Sequence, residues 1–199
     1  GSMFYVSAAL DELDFAPTDS KVRAALELES EQLGPGLLFE RLQALDPDTA
    51  ATIPRQNVRR VIRALEVIEI TGEKYANSLP EQKYARPTLT LGIDVDRELL
   101  KSRIATRVHQ MWQSGLLEEA NGIRSRFELS KTAAKAIGYS QAFAQLDGVF
   151  TQEEAIEQTT ALTNRYARRQ MSWFRRDKRI HWLDGNGDLL AQALERIRL

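Results

Sequence analysis

Cysteine is missing from this 199-residue sequence altogether. Its absence excludes disulfides, thiolate nucleophiles and Cys-ligated zinc together. It fits a reducing compartment, and a cytoplasmic location is expected. Histidine is nearly as scarce. His109 and His181 are the two present, and neither has a second ligand at metal-site spacing, so both are read as structural and no metal-ligating residue is named. No apolar run approaches the ~18 residues that a membrane-spanning helix needs. Gly1-Ser2-Met3 carries neither the basic start nor the apolar stretch of a secretory signal, so no membrane partner is expected. A dominant charge of one sign is lacking as well. Twenty-seven Lys and Arg stand against 28 Asp and Glu, for a net charge of −1, which rules out a polycation along its whole length.

What is present suffices for a folded core. Hydrophobic residues make up 43% of the chain and charged residues 28%, the balance of an ordinary globular protein of one medium or two small domains. The balanced charge is unevenly placed. Residues 165–179 hold seven Arg and Lys and one acid, Asp177, whereas acids gather in stretches such as Glu27-Leu28-Glu29-Ser30-Glu31. One dense basic segment in a near-neutral chain points to an anionic partner that docks locally.

Helical signals dominate. Thr18-Asp19-Ser20 offers caps for a helix carrying Val22, Leu26 and Leu28 and ending near Gly34-Pro35-Gly36. Leu38, Phe39, Leu42 and Leu45 predict a second short helix, and Asp46-Pro47 reads as an N-cap with proline at the first helical position. Asn57 caps a helix in which Val58, Val61, Ile62, Leu65 and Ile68 recur at helical spacing until Gly72. Residues 73–87 read as a polar linker or long loop. The period then changes. Leu89, Leu91, Ile93 and Val95 alternate with Thr88, Thr90, Gly92 and Asp94, predicting a strand. Helices follow from Asp96 to about Ser114 and over roughly 116–127. Lys131–Leu146 reads as helical, with Gly138 weakening it. Thr151 and Glu154 have capping-box spacing and open a long helix to about Arg176. Ile180–Leu183 predicts a short strand, Asp184-Gly185-Asn186-Gly187 a turn, and the remainder a last helix. Two strands do not form a stable sheet alone, so 89–95 reads as a sheet member whose partners are missing, as in an incomplete α/β protein.

Three patterns carry chemistry. Arg59 and Arg63 stand four apart with Arg60 beside them. Like charges at that spacing repel by a few tenths of a kcal/mol, which a bound phosphate relieves and which local pairing with Glu66 and Glu69 relieves equally. Arg103 and Arg107 are also four apart beside an apolar stripe of Leu100, Ile104, Val108 and Met111; such a pair suits a pyrophosphate and equally an ordinary amphipathic helix. In Asn164–Arg176, cations Arg165, Arg168, Arg169 and Arg176 share one helical side with Ser172, and aromatics interleave. Phosphates take the cations and unstacked bases take planar side chains, while Trp173 and Phe174 also suit a core. Gly138, in Ala136-Ile137-Gly138-Tyr139, marks either a close approach to a ligand or a break between helices.

In this order, the pieces resemble the tRNA dimethylallyltransferase (tRNA isopentenyltransferase) family. Gly1-Ser2-Met3-Phe4-Tyr5-Val6 resembles the end of its Gly-Gly-Thr-x-Leu-Tyr segment. Leu45-Asp46-Pro47 with Ala50-Ala51, Arg59-Arg60-Val61-Ile62-Arg63-Ala64-Leu65-Glu66-Val67, Arg103-Ile104 through Arg107-Val108 to Met111, and Gly115-Leu116-Leu117-Glu118-Glu119 follow. Ala136-Ile137-Gly138-Tyr139, Tyr166-Ala167-Arg168-Arg169-Gln170, Trp173-Phe174-Arg175 and Ile180-His181-Trp182-Leu183-Asp184 complete the set.

The resemblance implies transfer of a dimethylallyl group from dimethylallyl diphosphate to N6 of the adenosine 3′-adjacent to the anticodon, position 37. It implies Mg2+, a monomer, and an α/β core of P-loop NTPase type in the full-length family. Of this core the present sequence would contribute a mostly helical part with two short strands, residues 1–15 and 87–199, and a helical tRNA-binding insertion domain, residues 16–86. Arg107 takes the catalytic position, with Arg103 beside it toward the diphosphate. Ser2, Arg23, Asn57, Arg59, Arg60, Arg63, Lys135, Gly138, Tyr139, Arg168, Arg169, Gln170, Trp173 and Arg175 fall on tRNA-facing positions. Ser2 stands where the family has threonine, and Lys135 and Ser140 stand where some members have arginine. No Gly-x-x-x-x-Gly-Lys-Ser/Thr occurs and the family's general-base aspartate has no counterpart, so these 199 residues read as a C-terminal portion, not competent alone. Two other readings stand beside it. One is a non-catalytic RNA-binding helical module. The other is an adenylate-directed prenyltransferase, against which the insertion and its arginines argue.

Overall fold

The computed structural model describes residues 3–13, 15–75, 83–130 and 132–197. The chain divides into two compact units: Asp11–Ala85, and Gly1–Leu10 together with Arg86–Leu199.

The smaller unit is helical. Helices α2 (Ser20–Leu33), α3 (Pro35–Leu45), α4 (Pro47–Thr52) and α5 (Val58–Thr71) pack around Leu26, Leu38, Leu42, Ile53, Val61 and Leu65. Local chemistry sets the boundaries. The Asp19 carboxylate accepts from the Lys21 and Val22 amides, Pro35 opens α3, and Gly72 ends α5 at φ 73°, a left-handed backbone that glycine adopts without Cβ strain. The apolar stripes of α2 and α3 are narrower than the sequence predicts, because Leu28 and Leu45 are exposed while Leu26 and Leu42 are buried. Asp46, almost fully buried, caps α4 through the Thr49 amide and takes the Tyr75 amide on its other oxygen. The 73–87 segment is more than a linker where it is described. Tyr84 forms an antiparallel bridge with Asp11, and the Glu12 amide donates to the Lys83 carbonyl at 2.8 Å. Residues 76–82 lie outside the described residues.

The larger unit holds α1 (Met3–Leu10), strands β1 (Thr90–Asp94) and β2 (Ile180–Asp184), and α6 (Arg97–Gln113), α7 (Leu116–Arg126), α8 (Tyr139–Leu146), α9 (Gln152–Phe174) and α10 (Leu189–Ile197). The two strands that the sequence predicts are both present, and β1 pairs with β2 in parallel, Thr90 opposite Ile180 and Asp94 opposite Asp184. The two are far apart in sequence, as parallel pairing requires a crossover. Gly92 lets them close. A Cβ there would lie 2.7 Å from the Trp182 ring and 2.8 Å from Ile180. Helices α6 to α9 share a core of Val108, Trp112, Leu116, Ala142 and Ile156, with the Trp112 indole donating to Gln145 at 2.7 Å.

A continuous helix over Lys131–Leu146 is not what forms. Ala133–Lys135 is a short 3-10 turn, and α8 begins only at Tyr139. Gly138 separates them at φ 96° and ψ −59°, outside the helical region; Lys131 lies outside the described residues. Helix α9 opens on the capping box that Thr151 and Glu154 predict, with both reciprocal hydrogen bonds present. Helix α1 has no counterpart in the sequence reading. Its residues Phe4 and Tyr5 are exposed, and it packs against α9.

Candidate nucleic-acid interface

Helix α9 carries its cations outward. Arg165, Arg168 and Arg169 are exposed. Neither Arg165 nor Arg168 has a side-chain hydrogen bond or ion pair among the described residues, and Arg169 lies 5.8 Å over the Tyr166 ring. Trp173, Phe174 and Gln170 are half-buried, so the aromatics of this segment serve packing in part, as one of the two sequence readings held. At the end of α9, Arg175 meets the end of β1. One guanidinium nitrogen sits 3.0 Å from each Asp94 oxygen, and the group stands 6.0 Å over Trp182.

Between the start of α6 and the C-terminal half of α9 lies a groove of about 710 Å³. Arg97 and Lys101 come to it from α6, Asn164, Arg165 and Arg168 from α9, and Arg175 from the residue that caps α9. It opens at the carboxyl end of β1, where ligands of α/β sheets commonly bind. Arg97 and Lys101 escaped the sequence reading, and Asn164, at the start of the basic segment, was given no role in it. The Arg97–Lys101 spacing is a signal for a shared helical face, but nothing in the sequence says that α9 lies opposite.

Arg103 and Arg107 occupy successive turns of α6, one above the other. Both are exposed, neither has a side-chain partner among the described residues, and neither lines the groove. Along the same helix, Met111 approaches Gly138, where a Cβ would stand 3.5 Å from its terminal methyl. The Gly138 amide donates to the Gln141 side chain at 2.9 Å. The next residue, Tyr139, donates its hydroxyl to Glu119 at 2.5 Å. That hydrogen bond, reinforced by burial and by the carboxylate's charge, raises the phenol above its ordinary pKa. Lys135 is exposed. Ser2 lies outside the described residues.

In the smaller unit the arginines of α5 divide into two kinds. Glu66 is wholly buried. One of its oxygens accepts from the Thr18 hydroxyl at 2.6 Å and the Asp19 amide at 3.1 Å. The other accepts from Arg23 at 2.6 Å and Arg63 at 2.9 Å. Arg63 also donates to the Pro17 and Ala16 carbonyls, at 2.8 and 2.6 Å. Burial alone would push Glu66 up; the Arg23, Thr18, Arg63 and Asp19 hydrogen bonds outweigh it and bring the carboxyl down to about 2. Arg23 and Arg63 are therefore committed to a buried anion. Arg59 and Arg60 are exposed with no side-chain partner among the described residues, and Asn57 spends its side chain on the Arg60 amide. Glu69 pairs with Arg41 rather than with an α5 arginine. Among the described residues no three His, Asp or Glu side chains gather to hold a metal, and no helix is long and apolar enough to cross a membrane.

A family model described as IPP transferase matches residues 1–177. This chain belongs to the IPP transferase family. Members similar to it include the tRNA dimethylallyltransferase of Kineococcus radiotolerans, 49% identical over 98% of this chain and 63% of that protein. That of Thermobifida fusca is 50% identical over 97% of this chain and 61% of that protein. The chain thus spans about three fifths of the length of these curated relatives. Among solved structures, the full-length tRNA isopentenylpyrophosphate transferase of Bacillus halodurans is 34% identical with a TM-score of 0.59, covering 98% of this chain and 61% of that one. A eukaryotic dimethylallyltransferase acting on tRNA shares the fold at a TM-score of 0.73 and 24% identity, over 98% of this chain and 53% of that one. Within the family, therefore, the groove, the paired arginines of α6 and the free arginines of α5 are the features that need a role.

Proposed function

We propose that the chain serves in transfer of a dimethylallyl group from dimethylallyl diphosphate to N6 of adenosine 37 of tRNA, in the cytoplasm. The observation that carries this reading is the set of unpaired guanidiniums on α9 and α5, in a chain whose relatives across nearly its whole length are named tRNA dimethylallyltransferases. Free cations at spaced positions suit a phosphate backbone, since an ion-paired arginine has less to offer. Arg168 and Arg169, with Gln170, Trp173, Arg175, Gly138, Tyr139 and Lys135, would face the anticodon loop. Arg59 and Arg60, capped by Asn57 and held beside Arg23 and Arg63, would face the stem from the helical insertion, residues 16–86. The two parallel strands would be members of the P-loop-type α/β core, residues 1–15 and 87–199.

In the reaction the C–O bond to diphosphate breaks, the N6–C bond forms, and N6 loses a proton. Charge develops on the departing diphosphate, and a fixed, unpaired guanidinium stabilises it more than it stabilises the substrate. Arg107 suits that role, with Arg103 one turn away. The acceptor adenine has to leave its stack, at a cost of a few kcal/mol, which contacts along α9 would offset. The resemblance also implies Mg2+, but the described residues offer no ligand set, and no step here runs through it. The test is genetic. Deleting the coding sequence should leave position 37 unprenylated in the cell's tRNA, as read by nucleoside mass spectrometry. Restoring the whole gene that encodes it should return N6-isopentenyladenosine, and restoring that gene with Arg107→Ala should not. Unchanged prenylation after deletion would refute the proposal.

A further inference from the structure

The groove between α6 and α9 is more than a rim of charge. Its lining is more apolar than polar, with Leu100 from α6 and Ala161 and Met171 from α9. Arg97 lines it from α6, and Arg165 and Arg168 line it from α9. None of these three has a side-chain partner among the described residues, and the acid Asp94 is already held by Arg175. Asn164, half-buried on α9, likewise makes no side-chain hydrogen bond among the described residues. Its amide has both donors and an acceptor to offer.

A largely apolar lining, cations from two helices and one open amide match the parts of a nucleotide in a single strand. Phosphates need guanidinium donors, an unstacked base needs an apolar or planar seat, and its edge needs a donor–acceptor group. A double helix does not fit, since it presents no splayed base. We propose that this groove is a subsite for one unstacked nucleotide of the bound RNA, distinct from the acceptor adenosine. The base lies on Leu100 and Met171, the flanking phosphates lie on Arg97 and on Arg165 with Arg168, and Asn164 meets the base edge. The acceptor adenosine has to reach the diphosphate side, and Arg103 and Arg107, which suit that side, do not line the groove. The inference rests on the RNA-directed reading above and adds residues to it that neither the family resemblance nor the sequence pattern supplied.

The test is an abasic scan. Each loop nucleotide of an anticodon stem-loop is replaced in turn by an abasic residue, and binding is measured to the unaltered chain, to Met171→Glu and to Arg97→Ala. Met171→Glu puts a carboxylate into the apolar lining. Arg97→Ala alters an exposed residue and guards against a folding defect in the first variant. The expected result is one loop position, other than the acceptor, whose base removal weakens binding to the unaltered chain about tenfold and has no effect on Met171→Glu. Arg97→Ala should lose affinity and salt dependence together. If no such position exists, or if its sensitivity survives in both variants, the subsite is wrong while the RNA reading stands. If the folded, unaltered chain binds no stem-loop at all, the RNA reading falls and the subsite with it. If millimolar adenosine monophosphate displaces RNA from the unaltered chain but not from Met171→Glu, the groove belongs to free nucleotides and the proposal is overturned.

Discussion

Glu66 accepts the Arg23 guanidinium at 2.6 Å from a position wholly shielded from water. A buried carboxylate left without its partners is costly, and removing one member of such a pair typically destabilises by about 3–5 kcal/mol. Because Arg23 is 39% exposed, the lower end of that range applies. Glu66→Ala is expected to destabilise the chain by about 3 kcal/mol in urea titrations, and Glu66→Gln by less, since an amide still accepts two of the four hydrogen bonds.

The same carboxyl sets an acid limit. Its ordinary value of 4.5 falls to about 2 in the fold. A depressed folded pKa contributes stability that is present above the unfolded value and is lost as pH falls through the folded one. Urea midpoints should therefore decline between pH 4.5 and about 2 more steeply in the unaltered chain than in Glu66→Gln. Equal slopes in the two proteins would remove Glu66 from the account.

Within α5, neighbouring arginines should separate into two phenotypes. Arg63 bridges Glu66 to the Ala16 and Pro17 carbonyls, so Arg63→Ala should lower the melting temperature. Arg59 and Arg60 have no side-chain partner among the described residues, so Arg59→Ala and Arg60→Ala should change stability by no more than about 0.5 kcal/mol. Each of the latter should reduce the salt slope of RNA binding by about one. Melting curves and salt-dependent binding on the three variants separate the roles.

Gly138 precedes Tyr139 at φ 96°. A Cβ there meets only ordinary contacts, the nearest 3.5 Å away at Met111, so the cost of Gly138→Ala is backbone strain, about 1–3 kcal/mol. The variant should also disturb the Tyr139–Glu119 hydrogen bond. In an ultraviolet titration the Tyr139 phenol should ionise above its ordinary range, and Glu119→Gln should bring it down. No downward movement would mean that the pair does not persist in solution.

Much of this was legible in the sequence because local chemistry dictated it. Asn57, Asp96 and Thr151 cap the helices they precede, and alternation over 89–95 marks β1, whose ladder spans Thr90–Asp94. What escaped depends on distant partners or on backbone geometry. Helix α1 buries no side chain, so it leaves no periodic signal. The break before α8 falls at Gly138, one of the two readings the sequence left open there, but the positive φ that makes it is not legible in a helical pattern. Glu66 looks like a solvent-facing helix residue; its role depends on Thr18 and Arg23, more than forty positions earlier. The cations of α9 were plain in the sequence, but the groove needs α6 opposite them.

The central claim is that the exposed guanidiniums of α9 grip RNA. It is tested most directly by anticodon stem-loop binding across a salt series, comparing the chain with its Arg168→Ala/Arg169→Ala double variant. The account predicts salt-sensitive binding by the unaltered chain, with the double variant weaker and its salt slope lower by about two. Equal affinity and slope in two equally folded proteins would contradict it.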